Sequence, residues 1–314
     1  MSRLLFLTSG PIGDCVLSSG ALEHARARLG GAPRVTIACG PAAGELFRAV
    51  PNLERVIPLV KRPFGGHWFR LWGEVAAQRW DLAVDLRGSL LTHTLPVARR
   101  IAARPRGEGH KTMQLARVLG VPGPLAPHLH LDGPAFAAAA AAIPGRGFLA
   151  LGPGAKFPGK RWPAERFAAL PARLGLQAVV LGSGAEAQLC AEVAAACGGV
   201  SLAGRLDLLA SAALLTRARL FIGNDSGLMH LAAAAGAPTI GLFGPSDEGV
   251  YAPSGPRAMA IRGETPYAAL RARGWDTSAP SSLLADLALE RVEAAARTSL
   301  EKTAGDPALN ASFF

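Results

Sequence analysis

Leu220-Phe221-Ile222-Gly223-Asn224-Asp225-Ser226-Gly227-Leu228-Met229-His230, followed by an Ala-rich run, Gly236-Ala237-Pro238 and Thr239-Ile240-Gly241-Leu242-Phe243-Gly244-Pro245, decides how this chain is read. A short apolar strand runs into a tight polar turn at Gly223–Gly227, and an Ala-rich helix follows. A Gly-Ala-Pro break ends that helix and a second apolar strand begins at Thr239. Both strands are nearly continuous apolar runs, the pattern of a parallel sheet covered on both faces. The small turn between strand and helix leaves backbone N–H groups at the positive end of a helix dipole, which suits a phosphate.

The alternation extends in both directions. In the first half, strands are expected near Arg3–Thr8, Arg34–Cys39, Arg55–Leu59 and Asp81–Asp85. Helices are expected near Asp14–Leu29, Ala42–Val50, His67–Gln78, Leu90–Ile101 and Thr112–Leu119. Val121 to Pro144 is Pro- and Gly-rich around one Ala-rich helix, Phe136–Ala142, and reads as an interdomain connection. The pattern then restarts, with strands at Gly147–Leu151 and Ala178–Leu181 and helices at Ala164–Leu174, Ala185–Cys197 and Leu206–Thr216. After Pro245 an irregular Gly/Pro stretch leads to a last helix near Ser281–Leu300 and a frayed tail from Thr303 to Phe314. This order predicts an α/β protein of two doubly wound domains facing each other, with ligands at the carboxyl ends of the strands.

Composition narrows the partners. The chain has 314 residues, 50% of them hydrophobic and 18% charged, with a formal net charge of +10. It can build large cores, and its balance favours anionic partners: nucleic acid, phosphorylated sugars or an anionic membrane face. No apolar run approaches the ~20 residues of a spanning helix. Leu4–Leu7 is too short for a signal peptide and reads as the first strand. The four cysteines, Cys15, Cys39, Cys190 and Cys197, show no metal spacing and fit a reduced, cytosolic chain. No metal and no cofactor is expected.

Four segments carry candidate chemistry. Thr8-Ser9-Gly10-Pro11-Ile12-Gly13-Asp14 follows the first strand but lacks the third glycine of G-x-G-x-x-G, which disfavours a nicotinamide site and a dehydrogenase. Asp14 reads either as a helix N-cap or as a general base at a strand end. Gly152 to Pro163 sets Lys156, Lys160 and Arg161 in a Gly/Pro loop, a solvated basic loop or a phosphate site. Asp225, Ser226, Gly227 and His230 form a dense polar patch in an apolar sequence, read as ligand-binding. Lys61 to Trp72 interleaves cations with aromatics, which fits an amphipathic core helix, a nucleic-acid surface or contact with an anionic glycolipid membrane. Arg87, Ser89 and His110-Lys111 are lesser candidates.

With these residues in view, the chain resembles the ADP-heptose:lipopolysaccharide heptosyltransferase family. The resemblance rests on Ile12-Gly13-Asp14 with Ser18, Ser19 and Ala21-Leu22, on Lys160-Arg161-Trp162-Pro163 with Phe167, on Asn224-Asp225-Ser226-Gly227 with His230, and on Gly241–Ser246. It implies the GT-B fold: an N-terminal acceptor domain over 1–144, a C-terminal nucleotide-sugar donor domain over 145–290, and a helix end and tail, 291–314, that crosses back to the first domain. It implies inverting transfer of heptose from ADP-heptose to a phosphorylated inner-core lipopolysaccharide acceptor, at the cytoplasmic face of the inner membrane and without nucleic acid. Asp14 would be the general base. Lys160 would neutralise the donor diphosphate, and Ser226 and Gly227 would offer it backbone N–H groups. Asp225 and His230 would shape the sugar and phosphate pocket, and Glu186 would meet the nucleoside. Lys61, Arg62, Arg70 and Arg87 would face the acceptor. The alternatives are another nucleotide-sugar donor or acceptor, or a basic nucleic-acid-binding module, which would show steep salt-dependent affinity.

Overall fold

The computed structural model describes residues 1–30, 32–273 and 281–304. The chain divides into two compact units, the first ending at His130 and the second starting at Leu131.

The first unit opens with β1 (Arg3–Leu7) and α1 (Ile12–Ala27), then β2 (Arg34–Cys39), β3 (Leu53–Pro58), α2 (Gly66–Val75), β4 (Trp80–Asp85), β5 (Val97–Ala102) and α3 (Lys111–Leu119). Its five strands are all parallel, in the order β3-β2-β1-β4-β5. The order reverses at β1 and β4, where a parallel sheet opens a crevice at its carboxyl edge. Leu5, Leu7, Ala38 and Ile57 from the strands pack with Leu71, Val75 and Trp80 in one core.

The expected helix over Leu90–Ile101 does not form. A single 3-10 turn, Leu91–Thr94, gives way to β5. Pro96 blocks continuation of the helix. Val97 and Ile101 are β-branched, and Ala98, Arg99 and Arg100 are exposed on a strand that, among the described residues, lies at the sheet edge and pairs with β4 alone. The segment at Ala42–Val50 is likewise tighter than expected, a 3-10 helix over Pro41–Phe47.

The second unit contains α4 (Gly133–Ala142), β6 (Leu149–Gly152), α5 (Ala164–Leu174), β7 (Ala178–Val180), α6 (Ala187–Cys197), β8 (Val200–Ser201), α7 (Leu208–Leu215), β9 (Leu220–Asn224), α8 (Gly227–Ala234) and β10 (Thr239–Phe243). It closes with α9 (Glu248–Tyr251), β11 (Ala258–Arg262), α10 (Tyr267–Ala272) and α11 (Leu289–Ala304). Its six parallel strands run β11-β10-β9-β6-β7-β8, so order reverses at β6 and β9. β8, β11, α9 and α10 were not read from sequence, because a two-residue strand and a Met/Arg-containing edge strand carry little periodicity.

The helices start where the sequence supplies a cap. Asp132, Asp207 and Ser226 accept hydrogen bonds from Ala135, Ala210 and Met229 N–H groups at the starts of α4, α7 and α8. α4, which lies in the segment expected to connect the domains, packs on α7 with Ala135 and Ala139 fully buried. The last helix, α11, packs on α5 and β9 in the second unit, with Val292 and Ala296 in the core beside Trp162, Phe167 and Ile222. Arg173 on α5 reaches Glu293 on α11 at 2.8 Å. The tail beyond Ala304, expected to fray, lies outside the described residues.

Candidate functional site

In the first unit the carboxyl ends of all five strands open into one pocket of about 690 Å³. Thr8 follows β1, Gly40 follows β2, Leu59 follows β3, Leu86 follows β4 and Arg104 lies just past β5, and each lines it. Asp14 lines it too. The N-cap of α1 is Pro11, which makes no side-chain cap. Asp14 therefore sits inside the first turn, three residues past the cap, and its Oδ2 accepts a hydrogen bond from Ser9 Oγ at 3.1 Å. The cap reading of Asp14 is excluded by this geometry. The floor beneath is rigid: Thr8 Oγ1 and Ser18 Oγ lie 2.6 Å apart, and Cys15 donates to Ser9 O at 3.2 Å. Burial, with Cys39 and Asp14 adding to it, pushes the Cys15 thiol far up, and burial takes Cys39 up to about 12. Both thiols are inert under the pocket.

Around Asp14 stand Lys61, Arg87, Arg104, Arg106 and Lys111. Arg87 is half-buried, its guanidinium 5.0 Å from the Trp68 ring centroid. Burial pulls its pKa below the ordinary arginine value and nearby Arg104 adds to that, with Asp85 opposing. Asp85 is itself fully buried at the end of β4, accepting from the Arg87 and Ser89 N–H groups at 2.9 Å each and from Ser89 Oγ at 2.5 Å. Its oxygens are thus committed to the turn that carries Arg87 and Ser89. Gln114 donates to Gly107 O and Gly109 O at 2.8 and 2.9 Å and fixes the loop that carries Arg104 and Arg106. The pocket is lined by one carboxylate, Asp14, and five cations, a balance suited to a polyanionic ligand whose hydroxyl lies near Asp14.

Of the residues expected at the acceptor, Lys61 and Arg87 join Asp14 in this pocket. Arg62 and Arg70 do not; they line a separate shallow groove with His67 and Glu74, and Arg70 pairs with Glu74 at 3.1 Å. Arg104 and Arg106 were missed, since their loop was read as following a helix rather than an edge strand. The Lys61–Trp72 stretch is amphipathic: Trp68 packs against the core of the first unit, but Phe64 and Phe69 are 102% and 77% exposed, and Trp72 is 47% exposed.

In the second unit a second constellation gathers at the ends of β6 and β9. Asn224 is fully buried. Its Oδ1 accepts from Trp162 N at 3.0 Å and its Nδ2 donates to Pro153 O at 2.8 Å, so one side chain holds both ends of the Gly152–Pro163 loop. Trp162 is anchored further by its ring N–H on Leu287 O at 2.9 Å and by an edge contact with Phe167. The loop is thereby set so that Lys160 Nζ meets Asp225 Oδ2 at 2.6 Å. The other loop cations turn elsewhere: Arg161 donates to Ala155 O at 2.9 Å and Lys156 lies over the Phe157 ring.

Ser226 is the N-cap of α8, Gly227 is its first residue, and His230 lies buried one turn in. Lys160, Asp225, Ser226, Gly227 and His230 are thus brought together at one helix start. Glu186 closes a capping box with Ser183, accepting from Ser183 N and Oγ at 2.8 Å each. The same carboxylate lies against Gly154, where any Cβ would overlap it, so Glu186 reaches the loop that carries Lys160. Among the described residues no helix is long and apolar enough to cross a membrane.

Comparison with known proteins places these features. The family model described as "Glycosyltransferase family 9 (heptosyltransferase)" matches residues 109–274, just over half of the chain. Lipopolysaccharide heptosyltransferase 2 of Salmonella typhimurium is 34% identical over 157 residues, 47% of this chain and 45% of that protein. Its Escherichia coli counterpart is 35% identical over 40% of this chain and 39% of that protein. The match thus spans under half the length of these relatives. Lipopolysaccharide heptosyltransferase 1 of Pseudomonas aeruginosa aligns more widely, at 25% identity over 85% of each chain. Among solved structures, E. coli ADP-heptose lps heptosyltransferase II superposes with a TM-score of 0.77 at 21% identity, covering 96% of this chain and all of that one. E. coli heptosyltransferase WaaC with ADP gives 0.72 at 18% identity, covering 95% and 99%. The two parallel-sheet α/β units are those of the GT-B fold.

Proposed function

The chain belongs to glycosyltransferase family 9, the heptosyltransferases, and we propose that it transfers a heptose from ADP-heptose, with inversion, to a phosphorylated inner-core lipopolysaccharide acceptor. The observation that carries this reading is Asp14 in a roomy pocket that Lys61, Arg87, Arg104, Arg106 and Lys111 also line. An uncharged acceptor would not need five cations, and a carboxylate among them is positioned to take a proton.

The chemistry is a single displacement. The acceptor hydroxyl attacks C1 of the heptose, its proton passes to Asp14, and the bond from C1 to the diphosphate oxygen breaks. The transition state resembles an oxocarbenium ion, and negative charge grows on the departing ADP. Lys160 and the N–H groups at the start of α8 meet that charge. Asp225 holds Lys160 in place before donor binds, and the diphosphate then takes over as the ammonium's partner. E. coli heptosyltransferase WaaC, which shares this fold, has been solved with ADP and with ADP-2-deoxy-2-fluoro heptose, which supports a nucleotide-sugar donor. Glu186, beside the same loop, is assigned to the nucleoside end, and His230 to the pocket wall.

We place the enzyme in the cytoplasm, peripheral on the inner membrane. Phe64, Phe69, Trp72 and Val60 are exposed beside Lys61, Arg62 and Arg70. That combination suits an anionic bilayer surface that presents a lipid-anchored acceptor. The test is release of ADP from ADP-heptose with and without a lipid A–Kdo acceptor, together with protection of the purified protein against thermal unfolding. If neither ADP nor any ADP-sugar raises the melting temperature, the donor assignment fails.

A further inference from the structure

Away from the site just described, α1 carries Glu23 against the segment that leads out of the first unit, and that segment brings His128 and His130 to the same point. One ligand atom from each, a carboxylate oxygen and two imidazole nitrogens, lies within 4.8 Å of the others. His130 Nε2 stands 2.9 Å from Glu23 Oε1, hydrogen-bonded, and an opening of about 0.4 Å brings the two atoms to the roughly 3.3 Å spacing of two donors on a four-coordinate metal. We propose that Glu23, His128 and His130 bind a divalent first-row transition ion of the zinc class, which fastens the exit segment of the first unit to α1.

The positions are built rather than incidental. His128 N donates to Ser19 Oγ on α1 at 2.8 Å, and the His128 and His130 rings meet edge to face at 4.7 Å. The two histidines are separated by one residue in an extended segment, so both side chains fall on the same side, toward α1. Gly20 lets the chain approach this closely, since a Cβ there would run into Ala126 O. Two imidazoles and one carboxylate select zinc, cobalt or nickel over magnesium or calcium, which prefer all-oxygen shells. His128 is exposed, and Glu23 and His130 are half-buried, which leaves a fourth position open to water.

Arg26 is the charge that opposes binding, and its geometry defines how. Its Nη1 donates to Glu23 Oε2 at 2.6 Å and approaches His130 Nε2 at 3.3 Å. A metal on Oε1 leaves the first contact intact, as an outer hydrogen bond that orients the carboxylate. The longer approach to the imidazole is given up, and so is the hydrogen bond between His130 Nε2 and Glu23 Oε1, whose two atoms the metal takes instead. Burial raises the Glu23 pKa, but the hydrogen bonds from Arg26 and His130 outweigh it and hold the carboxyl below its ordinary value.

The full-length protein, stripped with chelator, is titrated with Co²⁺ and followed by visible absorption, then by Zn²⁺ competition. One equivalent of Co²⁺ giving ligand-field bands that Zn²⁺ abolishes is the expected result. His128→Ala, chosen because that side chain is exposed and with circular dichroism as the check on folding, is expected to weaken binding about 10–100-fold or more. Glu23→Gln is expected to do the same, and His93→Ala to leave binding unchanged. No Co²⁺ spectrum for the wild type at micromolar metal overturns the proposal. So does a spectrum that survives in both His128→Ala and Glu23→Gln. Glycosyl transfer uses none of these residues, so its assay is independent of the outcome.

Discussion

Replacing Asn224 by alanine tests whether one buried amide sets the geometry of the donor loop. Asn224 is wholly inaccessible, and both ends of its amide are used. Removing it leaves Trp162 N–H and Pro153 C=O buried without that partner. Each such orphan costs about 1–3 kcal/mol, so the expected loss is roughly 2–6 kcal/mol, of the same order as a domain's whole stability margin of about 5–15 kcal/mol. The unit should still fold at low temperature, with a clearly lowered denaturation midpoint and an unchanged dependence on denaturant concentration. Lys160 lies two residues before Trp162, so a slack loop also misplaces its ammonium. Donor KM should rise by at least about tenfold, which is 1.4 kcal/mol of lost binding. Urea denaturation and initial rates against ADP-heptose give the two readouts. A variant less than 0.5 kcal/mol weaker than wild type, with unchanged donor KM, would refute the view that Asn224 organises this loop.

Other outcomes follow from the same contacts. Asp14→Asn is expected to lower kcat by about 10²–10⁴-fold with donor KM unchanged, measured by ADP release under saturating acceptor. Lys160→Met strands the buried Asp225 carboxylate; the stability loss is bounded by the 3–5 kcal/mol typical of a broken, fully buried pair. Adding Asp225→Asn should restore the melting temperature but not donor affinity. Gly20→Ala forces a methyl into Ala126 O and should cost about 1–3 kcal/mol by thermal melting; a neutral result would refute the close crossing there. The hydrogen bond from Arg262 holds the Glu248 carboxyl below its ordinary value of 4.5. Its stabilisation is therefore fully present above about pH 4.5 and is lost as pH falls through the lower, folded-state value. Glu248→Gln should flatten that part of the melting-temperature profile.

Short-range chemistry made much of this protein legible from its residues. Apolar runs such as Leu4–Leu7 and Leu220–Ile222, broken by Gly-rich turns, read directly as parallel strands, because a strand buried on both faces must be apolar throughout. The polar turn Gly223–Gly227 before an Ala-rich run announced the start of α8, and the structure puts the cap at Ser226, whose hydroxyl accepts an N–H that the helix cannot satisfy. The Asp14, Lys160 and Asp225 segments stood out for the same reason, as polar clusters placed where apolar strands end.

Folding contributed what depends on partners far apart in the chain. Residues 97–102 became an edge strand because β4 offered them hydrogen bonds, which no local pattern records. Arg104 and Arg106 joined Asp14 only once β5 had carried them to the same sheet edge, while Arg62 and Arg70, closer in sequence to Lys61, fell outside the pocket. The contact between Lys160 and Asp225, and the meeting of Glu23 with His128 and His130, span 65 residues and about a hundred respectively. Periodicity reports which face of an element is buried; it carries no information on which distant charge will stand opposite, since that is set by sheet order and packing.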